Sequence, residues 1–138
     1  MIGRVVAMML ITMALPALSR EDDIIVVTRG ADSMAFGSCV PSLIAHNRSR
    51  LSVDYIQVDL DFSMRNGSSH RHEFKSSYRY GAPRPIPPDV SRPLVIHGDE
   101  SRPMKAACAD IVAVRVVDAF CETDGKTCPT PIAVKVDP

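Results

Sequence analysis

A strict alternation of apolar and polar residues between Ile56 and Met64 restricts the fold of this chain more than any other feature. Successive side chains of a β-strand point to opposite faces, so this pattern predicts an antiparallel strand with one buried face and one face in water. The buried set would be Ile56, Val58, Leu60, Phe62 and Met64, and the wet set Gln57, Asp59, Asp61 and Ser63.

The residues just before this segment alternate in the opposite phase, since Leu51, Val53 and Tyr55 are apolar at odd positions. A shift of one residue moves every side chain to the other face of a strand. Both sets can share one face only if an extra residue is accommodated between them. The sequence therefore predicts one strand over Leu51–Met64 with a β-bulge near Tyr55 and Ile56.

Two dipeptides, Asn66-Gly67 and Asp124-Gly125, predict tight hairpin turns. Both are favoured in two-residue primed turns, whose central residues need a positive φ. The first turn would join Leu51–Met64 to a strand over His70–Tyr80. With the second dipeptide as a turn, three pairs of residues would face each other: Thr123 with Lys126, Glu122 with Thr127, and Cys121 with Cys128.

Short strand patterns recur along the rest of the chain, and no segment of ten or more residues after residue 19 shows a 3.6-residue apolar period. The proline-rich residues 81–89 predict an extended connection, because proline lacks the donor that a sheet interior needs. About seven short strands without crossover helices predict an all-β, antiparallel immunoglobulin-like or fibronectin type III-like sandwich over residues 20–138. The other predicted strands are Asp23–Thr28, Cys39–His46, Leu94–His97, Ile111–Cys121 and Ile132–Val136.

Residues 1–19 have the pattern of a secretory signal peptide. Arg4 precedes an apolar run from Val5 to Leu15, and Pro16 is followed by Ala17-Leu18-Ser19, which offers small residues at the −3 and −1 positions. The apolar run is shorter than the roughly 20 residues of a membrane-spanning helix. We therefore expect cleavage after Ser19, no membrane span after cleavage, and a periplasmic or secreted protein.

All four cysteines follow the predicted cleavage site, and an exported chain meets an oxidising compartment. Disulfides are therefore expected at Cys39, Cys108, Cys121 and Cys128. The Asp124-Gly125 register favours Cys121 with Cys128, because facing Cβ atoms on paired strands lie about 4.5–5.5 Å apart. That leaves Cys39 for Cys108. The pairing of Cys39 with Cys121 and Cys108 with Cys128 stays open, because the sequence does not select among the three possible pairings.

Two parts of the sequence resemble a known group of proteins. Residues 47–62 combine an Asn-x-Ser turn with an alternating strand that contains Tyr-Ile-x-Val, and the C-terminal part places Cys108, Cys121 and Cys128 around Asp124-Gly125. These arrangements are similar to small secreted bacterial fibronectin type III-like proteins, among them an interleukin receptor mimic. The resemblance implies a two-sheet sandwich and binding to a protein. No receptor-contact residue of that group matches a position in this sequence.

Charge and motifs restrict the function. The chain has 16 basic and 16 acidic residues, without the clustered positive charge of a nucleic-acid binder. It contains no Gly-x-Ser-x-Gly elbow and no Cys-x-x-Cys redox motif. We therefore expect no enzyme, no cofactor and no nucleic-acid partner. The function that remains is an exported module that binds a protein or other macromolecule through a sheet face or edge.

The alternative function is a periplasmic copper or zinc binder that uses His70 and His72. Residues two apart on a strand point the same way, so this pair presents two imidazoles to one metal ion. Glu73 lies on the other face, and His46 or His97 would have to converge from separate strands to complete a site.

Two Asn-x-Ser segments, Asn47-Arg48-Ser49 and Asn66-Gly67-Ser68, match the acceptor sequence for glycosylation. Both lie at predicted turns, where asparagine is favoured because its side chain bonds to the backbone two residues on. The sequence therefore predicts a conformational role for both asparagines.

Overall fold

A computed structural model describes residues 23–96, 104 and 106–138. The predicted signal peptide and His97 lie outside these residues. The described part consists of β-strands and a 3-10 turn at Cys108–Asp110, and it contains no α-helix. Within it, no helix has the length and apolarity that crossing a membrane requires. The all-β prediction is confirmed.

Eight strands form one sheet in the order β11-β10-β5-β6-β9-β4-β1-β12, and β2–β3 and β7–β8 form separate hairpins. Every pair of neighbours is antiparallel except β1 with β12. The strands are β1 (Ile25–Arg29), β2 (Ser33–Ala35), β3 (Ser38–Val40), β4 (Leu43–Asn47), β5 (Tyr55–Met64), β6 (Ser69–Ser76), β7 (Tyr78–Arg79), β8 (Ala82–Pro83), β9 (Ser91–Ile96), β10 (Ile111–Thr123), β11 (Lys126–Thr127) and β12 (Ile132–Lys135).

The eight-stranded sheet curls around its own core. Its halves join through a short pairing of β6 with β9 that includes Phe74 opposite Ile96. Arg29 on β1 and Phe62 on β5 lie far apart in the strand order, yet the Arg29 guanidinium is 5.6 Å from the centre of the Phe62 ring. Both halves supply buried side chains, which include Ile25, Val27, Leu43, Ala45, Ile56, Val58, Leu60, Phe62 and Phe74. This packing removes apolar surface from water and is the main stabilising contribution to the fold.

The alternation along β5 is confirmed, but the predicted bulge is wrong. All five apolar residues from Ile56 to Met64 are buried, and β5 pairs regularly with β10 through Tyr55 and Ile56. The strand begins at Tyr55. Val53 belongs to a separate stretch that bridges to Ile86. The phase of the apolar pattern therefore changes where the chain stops pairing with Ile86 and begins to pair with β10. The register shifts of this pair lie on β10.

The structure confirms one predicted turn and corrects the other. Asp124 and Gly125 have φ values of 51° and 72°, as a primed turn requires, and Thr123 faces Lys126. At the other turn Gly67 has a φ of 85° but Asn66 is not left-handed. The Gly67 N–H donates to the Met64 carbonyl at 2.9 Å, and the Met64 N–H donates to the Ser68 carbonyl at 2.8 Å, so residues 65–67 form a three-residue loop.

Two predicted strands are divided. Cys39–His46 becomes β3 and β4 on either side of Pro41, which lacks a backbone donor. His70–Tyr80 becomes β6 and β7. At the end of β6 the Ser76 hydroxyl accepts a 2.9 Å hydrogen bond from the Ile56 N–H, so a side chain takes the place of a ladder carbonyl there.

The cysteines lie in the favoured pairs at disulfide distance. Cys39 and Cys108 have Cα atoms 4.8 Å apart, and Cys121 and Cys128 have Cα atoms 5.4 Å apart. The first pair ties the β2–β3 hairpin to the turn that precedes β10, and the second joins β10 to the residue that follows β11.

Candidate binding surface

The outward side chains of β10, β5 and β6 form a charged surface, which we call the outer face. It presents two rows of facing residues across the three strands. One row is Arg115, Asp61 and Arg71, and the other is Asp118, Asp59 and Glu73.

The first row has alternating charges. The Arg71 guanidinium donates from Nε to Oδ1 of Asp61 at 2.8 Å and from Nη2 to Oδ2 at 3.2 Å. From the other side, Nη2 of Arg115 donates to Oδ2 of Asp61. Asp61 is thus bound between two cations and links β5 to β6 and β10 through side chains.

The two arginines make Asp61 more acidic. Hydrogen bonds from Arg71, and then from Arg115, lower the pKa of the Asp61 carboxyl from 3.8 to about 2. Because the folded-state pKa is depressed, the stability that this group contributes is fully present above about pH 4 and is lost as the pH falls through about 2. Solvent screening keeps that contribution below about 1 kcal/mol.

A carboxyl NMR titration tests this electrostatic arrangement. We expect Arg71→Leu to raise the pKa of Asp61 more than Arg115→Leu does, because Arg71 donates two hydrogen bonds and Arg115 donates one. Equal shifts in the two variants would contradict this order.

The second row carries only negative charges. Asp118 on β10 faces Asp59 on β5, which faces Glu73 on β6. Glu73 is paired with Lys75 at 2.8 Å, and Asp59 accepts a 3.0 Å hydrogen bond from the amide of Gln57. In the part of the chain that the structure describes, no Lys or Arg forms an ion pair with Asp118. Among the described residues, the outer end of this row therefore has no cation.

A register shift on β10 brings Arg115 and Asp118 to the same face. Residues three apart on a regular strand point to opposite faces. Here two residues, Val116 and Val117, stand where β5 supplies Leu60 alone. Arg115 thus faces Asp61, and Asp118 faces the next outward residue of β5.

One edge of β10 is without a neighbouring strand over most of its length. β11 pairs with β10 at Glu122 and Thr123, and no other described strand lies beyond β10. On this side the Cys121 carbonyl already accepts a 2.8 Å hydrogen bond from the Cys128 N–H. We call residues 112–120 the β10 edge. Val112 and Val116 are 50% and 40% exposed. An unpaired edge presents backbone N–H and C=O groups that another strand can bond.

The sequence predicts β10 as a strand but does not predict its exposed edge. The valine-rich run of residues 111–117 resembles that of a strand buried on both faces. The charged residues Arg115 and Asp118 are the one signal against burial. Their significance depends on the strand order, which the run itself does not encode.

The structure places the predicted metal pair on the inner face of β6. His72 is 3% exposed, and its ring centre lies 5.8 Å from that of Phe62. His70 is half-buried, with Nε2 3.4 Å from the Ser68 hydroxyl. Neither belongs to a group of three potential metal ligands among the described residues. Metal binding by His70 and His72 stays a prediction, which titration with zinc and copper tests.

A second histidine lies beside hydroxyl groups. His46, Asp89 and Ser91 line one shallow depression. Nδ1 of His46 contacts the Ser91 hydroxyl, and Nε2 lies 3.2 Å from the Thr28 hydroxyl. A catalytic triad uses a carboxylate to orient the imidazole. In this depression, hydroxyl groups and not a carboxylate contact both ring nitrogens of His46.

Comparison with known proteins adds a distant likeness. No family model matches the sequence, and no curated protein matches it. The solved structure of IrmA from Escherichia coli has a similar fold over 81% of this chain and 91% of that chain, with a TM-score of 0.49 and 8% sequence identity. At this distance no residue role passes from IrmA to the chain.

Proposed function

We propose that this chain is an exported, non-enzymatic module of the immunoglobulin-like or fibronectin type III-like sandwich class, and that it binds a protein by strand addition along the β10 edge. The observation that carries the proposal is the unpaired edge of β10, a strand of 13 residues near one end of the eight-stranded sheet. Two cysteine pairs at disulfide distance support export to an oxidising compartment.

The edge and the outer face have different parts in this binding. A strand added to β10 would form main-chain hydrogen bonds, which supply affinity with little dependence on sequence. Side chains of the added strand would lie next to Arg115 and Asp118, whose opposite charges select the residues that face them.

A photo-crosslinking residue at Val116 tests the proposal. Leu51 is the matched control, because it is 42% exposed against 40% for Val116 and lies outside the strands. In the cells that make this chain, we expect the probe at Val116 to yield a covalent adduct with a protein and the probe at Leu51 to yield none. No adduct at Val116, or equal adducts at both positions, would overturn the proposal.

A further inference from the structure

We infer that the strand added to the β10 edge is β10 of a second copy of this chain, paired antiparallel so that Arg115 of each copy faces Asp118 of the other. This inference rests on the proposed function and names its partner. Three features support it: the positions of two charges, the position of the register shift, and the extent of the free edge.

The charges of the β10 edge are self-complementary. Arg115 and Asp118 both point to the outer face, on either side of Val116 and Val117. An antiparallel copy centred between the two valines would bring a cation to each Asp118 and a carboxylate to each Arg115. The first row would become a run of four alternating charges across four strands. The acidic second row would gain the cation that its outer end lacks.

The register shift in β10 favours a copy of itself over a regular strand. A regular incoming strand has no extra residue opposite Val116 and Val117. Its pairing register would therefore be wrong by one residue along half of the edge. In the antiparallel register proposed here, Val116 faces Val117 of the second copy, so the irregular parts of the two strands coincide. The shift then protects the edge against other strands while permitting this one.

The free length of β10 fits a symmetric pair. Cys128 and β11 occupy the edge from Cys121 onward. In the proposed register, Ala113 lies opposite Phe120 of the second copy, which is the last position before the bonded Cys121. The paired segment therefore ends at both sides where the free edge ends. Such an arrangement has the two-fold symmetry that is commonest among dimers of identical chains.

Sedimentation equilibrium of the purified, non-reduced chain tests the inference through a charge swap. We expect the wild-type chain to be dimeric at micromolar concentration. Arg115→Asp and Asp118→Arg should each weaken the dimer about 10- to 30-fold, because symmetry turns two attractive pairs into two repulsive ones. The double variant, R115D with D118R, should recover the dimer to within about 3-fold of wild type.

Arg71→Asp is the matched control. Arg71 binds the same carboxylate as Arg115 but lies on β6, inside the sheet. We expect this variant to remain dimeric. Unfolding midpoints of all variants separate loss of the dimer from loss of the fold. A monomeric wild type would overturn the inference, as would a dimer unaffected by both single reversals or a double variant without recovery.

The crosslinking and sedimentation experiments together distinguish failure of the self-pairing from failure of the proposed function. A crosslink from Val116 to a different protein, with a monomeric purified chain, would overturn the self-pairing and leave the proposed function standing. Absence of any crosslink from Val116, with a dimer that resists both charge reversals, would overturn both.

Discussion

Replacing Cys39 and Cys108 together by alanine is expected to lower the free energy of unfolding by about 4 kcal/mol. The pair closes a loop with a sequence separation of 69 residues. In the chain-entropy account, removing such a crosslink releases a large amount of conformational freedom in the unfolded chain. Urea unfolding of the variant and the wild type, both non-reduced, measures the difference.

The second cysteine pair is the control for this loop-length effect. Cys121 and Cys128 are separated by only 7 residues, so their joint replacement by alanine should cost about 2.5 kcal/mol by the same account. All the alanine variants leave small voids, because Cys39, Cys121 and Cys128 are buried. A larger loss from the short loop than from the long one would contradict the entropic explanation.

Asn47→Ala is expected to destabilise the chain by about 3–4 kcal/mol, because it removes four hydrogen bonds of a buried side chain and leaves the buried Ser49 N–H without a partner. Asn47 is 1% exposed. Its Nδ2 donates to the carbonyls of Leu51 and Ile86 at 2.7 and 2.8 Å, and its Oδ1 accepts from the Ser49 N–H at 2.9 Å and hydroxyl at 2.6 Å. Chemical unfolding of the variant measures the loss.

The chain contains its own control for this prediction. Asn66 makes the same local contacts, with Oδ1 accepting from the Ser68 N–H at 2.9 Å and hydroxyl at 2.6 Å, but at an exposed turn. Water can replace those bonds, so Asn66→Ala should cost about 0.5–1 kcal/mol. Similar losses at both sites would mean that the stabilisation comes from the Asn-x-Ser turn itself and not from the bonds of Asn47 to Leu51 and Ile86.

The same contacts bear on the glycosylation acceptor sequence at Asn47. Both N–H groups of its amide are committed to backbone carbonyls, a partly buried one at Leu51 and a buried one at Ile86. The conformational role that the sequence predicted for this asparagine is therefore what the structure displays. Its other function, to hold the stretch after β4 against Ile86, could not be predicted because that partner lies 39 residues away.

Features that depend on neighbouring residues were predictable from the sequence. The alternation along β5 and the Asp124-Gly125 register follow from side-chain periodicity and turn chemistry. The bulge prediction failed because Val53 was read as part of the same strand as Ile56, whereas it pairs with Ile86. The alternation of apolar residues does not show with which distant segment each residue pairs.

The candidate surface also combines features that the sequence predicts with features that it does not. Asp59 and Asp61 were predicted to face water, and they lie on the outer face. Arg115 and Asp118 were not recognised, because their common orientation depends on a register shift opposite Leu60 and their exposure depends on the strand order. Both are properties of how distant segments assemble.

The parallel pairing of β1 with β12 also affects when the domain can close. Ile25 lies beside Ile132, and Val27 lies beside Val134, so the first and last strands described are neighbours. A chain emerging from its amino end would hold β1 against β4 alone until nearly all of it had appeared. Contacts this distant in sequence form late, since they require the largest loop to close. A chain that is unable to lock early stays open until its last described strand reaches β1.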